Sequence, residues 1–250
     1  MFYKKVLLKE IDPRFDNEES HLRIYIADEN ESVSKRPGML VCPGGGYSFC
    51  SEREGENVAC RFLSEGFNCF VLYYTVNKKY PAPQLDLALV FAYIRQHEEE
   101  FKLLPNTLSI IGFSAGGHLA AIPATSSQDA LYDRVDAVDD LPAHLNFSIP
   151  VYPAYVLDDG PTGRNERCGD GAAILPEFKF DAKTPPMCMV HGDKDFYSPM
   201  ASVQLYTELH KRKIPAQLFV YANVSHGLGD KVNVAGWQRR VVDWIESIGF

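Results

Sequence analysis

The amino-acid sequence predicts an α/β fold with a mostly parallel central sheet and helices on both of its faces. Short apolar runs rich in β-branched residues alternate along the chain with segments whose apolar residues recur at helical spacing. Glycine-rich or polar turns directly follow several of the apolar runs. The 250 residues are 46% hydrophobic and 23% charged, a composition typical of a globular protein with a large core.

The predicted elements follow one another in regular order. The strands are predicted at 22–27, 38–42, 68–74, 108–113, 147–152, 187–190 and 216–221. The helices are predicted at 54–64, 84–98, 115–124, 199–212 and 235–248. The first strand, 22–27, alternates apolar and polar residues, which is typical of an edge strand. Because ligands of such sheets bind beyond the carboxyl ends of the strands, the residues that follow strands are the candidates for function.

We predict one domain over residues 1–250, because this length suits a single core and no linker or repeat interrupts the chain. Two stretches, 126–146 and 158–184, fit the alternation of strands and helices poorly, since they are polar, acidic or rich in glycine and proline. Loops of this length in a compact domain are usually functional or disordered. We expect both to be excursions over the mouth of the active site.

Charge and cysteine content argue against several partners and cofactors. The chain has 25 Lys and Arg against 33 Asp and Glu, and its net charge of −8 disfavours nucleic acid and anionic membranes as partners. Lys9 and Glu10 interrupt the apolar start, so no secretion signal is expected. No segment approaches the ~20 apolar residues that a membrane span needs, and a cytoplasmic location is predicted. The six cysteines are scattered, which favours free thiols over a zinc site. No metal or cofactor is predicted, and a homo-oligomer is compatible with the sequence.

Ser114 is the candidate nucleophile. It stands in the pattern Gly-Phe-Ser-Ala-Gly at 112–116, between the apolar run 108–113 and the small, apolar helix 115–124. A serine on a sharp turn from strand to helix is typical of the nucleophile elbow of hydrolases. Glycines on either side of the serine relieve the crowding of the backbone in such a turn.

A base and an acid are available downstream of this serine. A serine hydroxyl needs a base to take its proton, and the base needs a carboxylate to orient it. With a nucleophile elbow, the expected order along the chain is serine, acid, histidine. Asp193 and Asp195 follow the strand 187–190, and His226 follows the strand 216–221. The three loops can therefore meet at one edge of the sheet, and either aspartate can be the acid.

The candidate oxyanion hole is the loop Pro-Gly-Gly-Gly-Tyr at 43–47, together with the backbone N–H of Ala115. Negative charge that develops on a carbonyl oxygen needs N–H donors already in place, and glycines let the backbone amides face the substrate. A phosphate-binding loop is the alternative, but the Gly-Lys-Ser/Thr of a Walker loop is absent and no Gly-x-Gly-x-x-Gly opens a helix.

These motifs resemble those of α/β-hydrolase esterases of the acetyl-xylan esterase and BD-FAE-like branch, which is related to the hormone-sensitive lipase group. The resemblance rests on the sequences PGGGY, YY, YPAP, GFSAGGHLAA, HGDKD and SHG, and it covers nearly the whole chain. It implies the α/β-hydrolase fold. It also implies that Ser114 is the nucleophile, His226 the base and Asp195, rather than Asp193, the acid.

The resemblance further implies that the oxyanion donors are the backbone N–H groups of Gly45, Gly46 and Ala115. The chain departs from the pattern in two ways. Pro43 stands where the related lipase group has a histidine, which changes the support at the entry of the loop. Only about 20 residues precede the first clear strand, so we expect no extended N-terminal cap and an open site that suits short acyl groups on bulky alcohols.

The predicted function is that of a serine carboxylesterase that hydrolyses short-chain acetyl esters, with acetylated xylo-oligosaccharides as the expected kind of substrate. A small serine peptidase of the prolyl-oligopeptidase type is one alternative, although such enzymes usually carry a large accessory domain. A non-catalytic binding member of the fold is the other, although such members commonly lack one residue of the triad.

Several other polar and aromatic residues are predicted to be structural. His118 lies one turn beyond the elbow and is expected to pack at the floor of the site, and His191 is expected to shape the loop of the acid. Asp86 falls near the start of a predicted helix, where a carboxylate is favourable. Trp237 and Trp244 share one face of the last helix and are expected in the core.

Overall fold

The computed structural model describes residues 1–29, 31–126, 145–158, 172–228 and 236–250. Within these ranges the chain divides into two compact units. The first contains Met1–Ile110 together with residues 145 and 146, and the second contains Ile111–Ser126 together with the described part of Phe147–Phe250. Most of the predicted excursions at 126–146 and 158–184 lies outside the described residues. The single domain over 1–250 stays a prediction.

The described ranges contain eight strands and six α-helices. The strands are β1 (Phe2–Leu7), β2 (His21–Ile26), β3 (Arg36–Cys42), β4 (Asn68–Tyr73), β5 (Leu103–Phe113), β6 (Ser148–Val151), β7 (Met187–Gly192) and β8 (Ala216–Tyr221). The helices are α1 (Leu8–Ile11), α2 (Glu56–Ser64), α3 (Ala82–Gln96), α4 (Ala115–Thr125), α5 (Met200–Lys211) and α6 (Trp237–Ser247). A 3-10 turn, Glu52–Glu54, precedes α2.

The strand order in the sheet is β1-β2-β4-β3-β5-β6-β7-β8. Strands β3 and β4 pair in parallel, as do β6 with β7 and β7 with β8. Strand β2 pairs antiparallel with both β1 and β4. A mostly parallel sheet whose strands alternate with helices along the chain confirms the predicted α/β class.

In the first unit, one prediction is wrong. The strand at 22–27 was expected at the edge of the sheet, but β2 lies between β1 and β4 and is buried at five of its six positions. The edge strand is β1, which the sequence did not reveal because four of its six residues are exposed. Its register with β2 runs from Phe2 opposite Ile26 to Leu7 opposite His21.

In the second unit, β7 is buried along its whole length and α6 packs its two tryptophans into the core, as predicted. Trp237 meets Phe113 edge-to-face at the end of β5, and Trp244 meets Phe147 in the same way. Edge-to-face pairs of this kind stabilise by about 1 kcal/mol beyond the area they bury. The pair of Trp237 and Phe113 fixes the end of β5, from which the turn at Ser114 departs.

Candidate active site

Ser114 is the turn between β5 and α4. Its backbone has φ 53° and ψ −116°, a conformation that residues with a Cβ rarely adopt. Three hydrogen bonds hold it there: Ser114 N–H donates to the Val151 carbonyl at 3.0 Å, and the Ser114 carbonyl accepts from His118 N–H at 3.0 Å and Ala154 N–H at 3.1 Å. The turn therefore has the strained geometry that the sequence pattern predicted, with the side chain almost buried.

The glycines around Ser114 are required by close approach of the backbone. A Cβ on Gly112 would lie 2.0 Å from the Gly116 carbonyl oxygen, far closer than a Cβ approaches an atom to which it is not bonded. A Cβ on Gly117 would lie 3.0 Å from the Val151 carbonyl oxygen. Helix α4 can therefore start directly against β5 and β6 only because these positions lack a side chain.

The structure brings Ser114, His226 and Asp195 into one hydrogen-bonded chain. His226 Nε2 lies 2.9 Å from Ser114 Oγ, and His226 Nδ1 lies 2.8 Å from each carboxylate oxygen of Asp195. A carboxylate only accepts hydrogen bonds, so the proton of neutral His226 is on Nδ1 and Nε2 is the lone pair that faces the serine hydroxyl. This is the geometry in which a histidine can take the serine proton.

Asp195, and not Asp193, is the aspartate that contacts the histidine. The Asp195 side chain is fully buried, and Oδ1 also accepts the Tyr197 backbone N–H at 2.8 Å. Asp193 is exposed and its Oδ1 accepts the Val224 N–H at 3.3 Å, which ties the loop of the acid to the loop of the base. The same two loops touch where a Cβ on Gly192 would lie 2.3 Å from the Val224 carbonyl oxygen.

His191 braces the loop that carries Asp195. Its ring is buried, with Nδ1 2.8 Å from Ser202 Oγ and Nε2 2.9 Å from the Tyr197 carbonyl oxygen. Nε2 also lies 3.6 Å from Asp195 Oδ2. Burial lowers the pKa of His191 to about 4, so the ring is neutral at pH 7 and donates from Nε2 while it accepts from the serine hydroxyl. The prediction that His191 shapes this loop agrees with these contacts.

Aromatic rings surround the base. The ring centroids of Phe196, Tyr152 and Tyr197 lie 4.5, 4.9 and 5.2 Å from that of His226. Tyr152 is fully buried, whereas Phe196 is 50% exposed. These rings were not predicted from the sequence, although the position of Phe196 directly after the acid is a signal that could have indicated it.

His118 is buried in α4 and meets two aromatic rings edge-on, Tyr155 at 5.9 Å and Phe178 at 5.7 Å. Burial lowers the pKa of His118 to about 4, so the ring is neutral at pH 7. Its surroundings are those of a packing residue, as predicted.

The candidate oxyanion donors have N–H groups with no acceptor among the described residues: Gly45 and Gly46 in the first unit and Ala115 in the second. In the loop 43–47, the Pro43 carbonyl accepts the Tyr74 hydroxyl at 2.7 Å, and Gly44 N–H donates to Glu54 Oε2 at 2.8 Å. Tyr74 and Glu54 thus support the loop entry, where the sequence departs from the lipase pattern. The role of these N–H groups as oxyanion donors stays a prediction.

Within the described ranges, no three His, Cys, Asp or Glu side chains are placed to hold a metal ion.

In the same part of the chain, none of the helices has the length and apolar character needed to cross a bilayer. The thiols of Cys42, Cys50, Cys60, Cys69 and Cys188 are free, and Cys168 lies outside the described residues.

Comparison with known proteins identifies the family. The sequence model of the BD-FAE family matches residues 22–153, which is more than half of the chain. The chain belongs to the BD-FAE family. The resemblance that the motifs indicated is therefore confirmed.

Solved structures similar to this BD-FAE protein have the α/β-hydrolase fold. One is MGS-M1, an α/β-hydrolase enzyme from a Medee basin deep-sea metagenome library, with a TM-score of 0.78, 28% identity and coverage of 99% of this chain and 98% of that one. Another is an acetyl ester-xyloside bifunctional hydrolase from Caldicellulosiruptor lactoaceticus, with a TM-score of 0.84, 28% identity and coverage of 99% and 97%. The predicted fold is confirmed.

Curated relatives of this BD-FAE protein are longer. An acetylxylan esterase from Xylanibacter ruminicola is 27% identical over 211 residues, which are 76% of this chain and 41% of the relative. The chain spans from a third to just under half of the first relatives that it matches.

Proposed function

We propose that this protein is a serine carboxylesterase that hydrolyses short acyl esters, in particular acetyl esters of carbohydrates. The observation that carries the proposal is the chain of hydrogen bonds from Ser114 Oγ through His226 to the buried carboxylate of Asp195. The nucleophile, the base and the acid of a serine hydrolase are all present in this chain of hydrogen bonds. A non-catalytic role would leave the strained backbone at Ser114 without a purpose.

In the first half of the reaction, Ser114 Oγ attacks the carbonyl carbon of the ester while its proton moves to His226 Nε2. The charge on the resulting imidazolium faces the Asp195 carboxylate, which stabilises it. The carbonyl oxygen becomes an anion, and the Ala115 N–H, with the N–H groups of Gly45 and Gly46, is proposed to donate to it. Each such donor contributes about 3–4 kcal/mol to the stability of the transition state.

The ester bond then breaks, and His226 Nε2 gives its proton to the oxygen of the leaving alcohol. An acyl group remains on Ser114. In the second half, His226 takes a proton from water, the water oxygen attacks the acyl carbon, and the proton returns to Ser114 Oγ as the acid is released. The cycle needs only these side chains and water.

The substrate class is supported by what similar proteins are called: an acetylxylan esterase and an acetyl ester-xyloside hydrolase are among them. A cytoplasmic location and the oligomeric state stay predictions.

The experiment is hydrolysis of p-nitrophenyl acetate by the Ser114→Ala variant. We expect kcat to fall by at least about a thousandfold, as is typical when the nucleophile of a triad is removed. The matched control is Ser109→Ala. Ser109 is also a buried serine of the same stretch, and its hydroxyl has no partner among the described residues, so the control should keep wild-type activity. Retained turnover by Ser114→Ala would overturn the proposal.

A further inference from the structure

The loop of the acid alternates buried and exposed side chains around the base. Asp195 and Tyr197 are buried, with 8% of each whole residue exposed, but Phe196 between them is 50% exposed. Its ring still lies against the imidazole of His226, with 4.5 Å between centroids and 42° between planes. A large apolar ring is thus half open to solvent directly beside the proposed general base.

The proposed reaction says which part of an ester comes to this ring. His226 Nε2 hands its proton to the oxygen of the leaving alcohol, so that oxygen must come within about 3 Å of Nε2. The acyl carbon is at that moment bonded to Ser114 Oγ. The part of the alcohol next to that oxygen therefore lies beside the His226 ring. In the described part of the chain, Phe196 is the half-exposed side chain that contacts His226.

The surroundings of the ring indicate the chemistry of that alcohol. Asp193 and Lys194, which precede Asp195 in the same loop, are exposed and polar. An apolar ring in a loop that also presents charged side chains suits a ligand that has C–H groups on its faces and hydroxyls on its rim. A pyranose has this character, whereas an alkyl alcohol offers no further hydroxyls to the polar side chains of the loop.

We infer that Phe196 is the platform on which the sugar ring of the leaving alcohol stacks, and that it selects for the alcohol part of the ester and not for the acyl part. This inference rests on the proposed function. Tyr197 supports the Phe196 ring, because the centroids of the two rings lie 4.9 Å apart. The Tyr197 backbone is itself fixed by hydrogen bonds to the side chains of Asp195 and His191.

The experiment compares two ester series in the wild type, Phe196→Ala and Phe196→Trp. In the first series the acyl group is always acetyl, and the alcohol is ethanol or a methyl xyloside. In the second series the alcohol is always ethanol, and the acyl chain lengthens from acetyl to hexanoyl. For Phe196→Ala we expect kcat/KM to fall about tenfold on the acetylated xyloside, mostly through KM, and to stay within about twofold on ethyl acetate. Phe196→Trp should restore the wild-type value, and the acyl-chain preference should not change.

The control is Phe2→Ala, which removes an equally exposed phenyl ring (49%) from strand β1 and should change neither series. An equal loss on ethyl acetate and on the xyloside in Phe196→Ala would overturn the inference, because the ring would then act by positioning His226. A changed acyl-chain preference would overturn it as well.

A binding measurement separates this inference from the proposed function. In the Ser114→Ala background, methyl β-xylopyranoside should show saturation-transfer NMR contacts that disappear when Phe196→Ala is added. Wild-type protein that hydrolyses no ester would contradict the proposed function alone. Sugar binding that is unchanged by Phe196→Ala would contradict the platform alone.

Discussion

At the scale of the residue, the two aspartates of one loop differ in what they contact rather than in chemistry. Asp195 is buried, touches both the base and the Tyr197 backbone, and lies beside the neutral ring of His191. Asp193 is exposed and accepts one backbone N–H. Only the first arrangement can hold His226 in the tautomer that faces Ser114 with a lone pair.

Asp195→Asn should therefore lower kcat by about 10³- to 10⁴-fold, since an amide can donate to Nδ1 and favour the wrong tautomer. Asp193→Asn is the matched control, and it should remain within about tenfold of the wild type because its amide oxygen can still accept the Val224 N–H. Steady-state kinetics on p-nitrophenyl acetate measures both variants. A larger loss in Asp193→Asn than in Asp195→Asn would reverse the assignment.

The sequence could identify Ser114 and His226 because each stands in a short pattern directly after a strand. The positions after the strand offered both Asp193 and Asp195 as the acid, and only the family resemblance favoured Asp195. Position alone could not choose, because the choice depends on which of the two side chains turns towards His226. Phe196 and Tyr152 escaped notice because their contacts with His226 join three separate loops. No spacing along the chain records such contacts.

At the scale of the element, the junction of β5 and α4 depends on missing side chains. Gly112 lies two residues before Ser114, where β5 packs closely against α4. A Cβ there would also meet Ala120 Cβ at 3.0 Å. The added Cβ is fixed in position by the Gly112 backbone, and the Gly116 oxygen that it would meet at 2.0 Å is itself backbone, so no rotation of a side chain can relieve the contact.

Gly112→Ala should destabilise the protein by more than about 4 kcal/mol or prevent folding, which is exceptional for the addition of one methyl group. Gly38→Ala in β3 is the comparison, because there the added Cβ would meet Leu108 Cδ1 at 3.0 Å and the Thr107 carbonyl oxygen at 3.2 Å. That strain is smaller, and about 1–3 kcal/mol is expected. Urea unfolding followed by circular dichroism measures both, and equal losses would contradict the account of the elbow.

Elements with a buried, regular pattern were predicted from the sequence, and those without one were not. Strand β4 is buried at all six positions and was found at 68–74. Strand β1 carries Lys4 and Lys5 on an exposed edge, and the short helix α1 follows it with a single buried residue. Strand β1 is held in place by its pairing with β2, which is a tertiary interaction that local periodicity does not reveal.

At the scale of the whole molecule, three buried groups set opposing responses to acid. Burial raises the pKa of Asp86 to about 6, although its carboxylate accepts the Thr75 backbone N–H. Burial lowers the pKa values of His118 and His191 to about 4. Asp86 binds its proton more tightly in the folded state, so its contribution to stability is lost as the pH rises from about 4 to about 6. The two histidines bind protons less tightly when folded, so their contribution is lost as the pH falls from about 6.5 to about 4.

Acid should thus destabilise the protein, and the protonation of Asp86 should offset part of the loss. Asp86→Asn removes this offset while its amide oxygen can still accept the Thr75 N–H. We expect its free energy of unfolding to fall more steeply between pH 6 and pH 4 than that of the wild type, by up to about 3 kcal/mol over this interval.

Urea titrations at pH 4, 5, 6 and 7 measure this slope. Asp243→Asn serves as the control, because Asp243 is an exposed partner of Arg239 and its loss should leave the slope unchanged. A shallower slope in Asp86→Asn than in the wild type would show that Asp86 is not held in its protonated form by burial.

The left-handed backbone of Ser114 has a consequence for how this protein can change over generations or in the laboratory. Glycine adopts that conformation without the cost of about 1–2 kcal/mol that a side chain incurs. A search for heat-resistant variants that selects for folding alone will therefore favour Ser114→Gly, although the proposed reaction requires this serine. Only when every round also demands turnover will the serine survive, and further stability must then come from other parts of the chain.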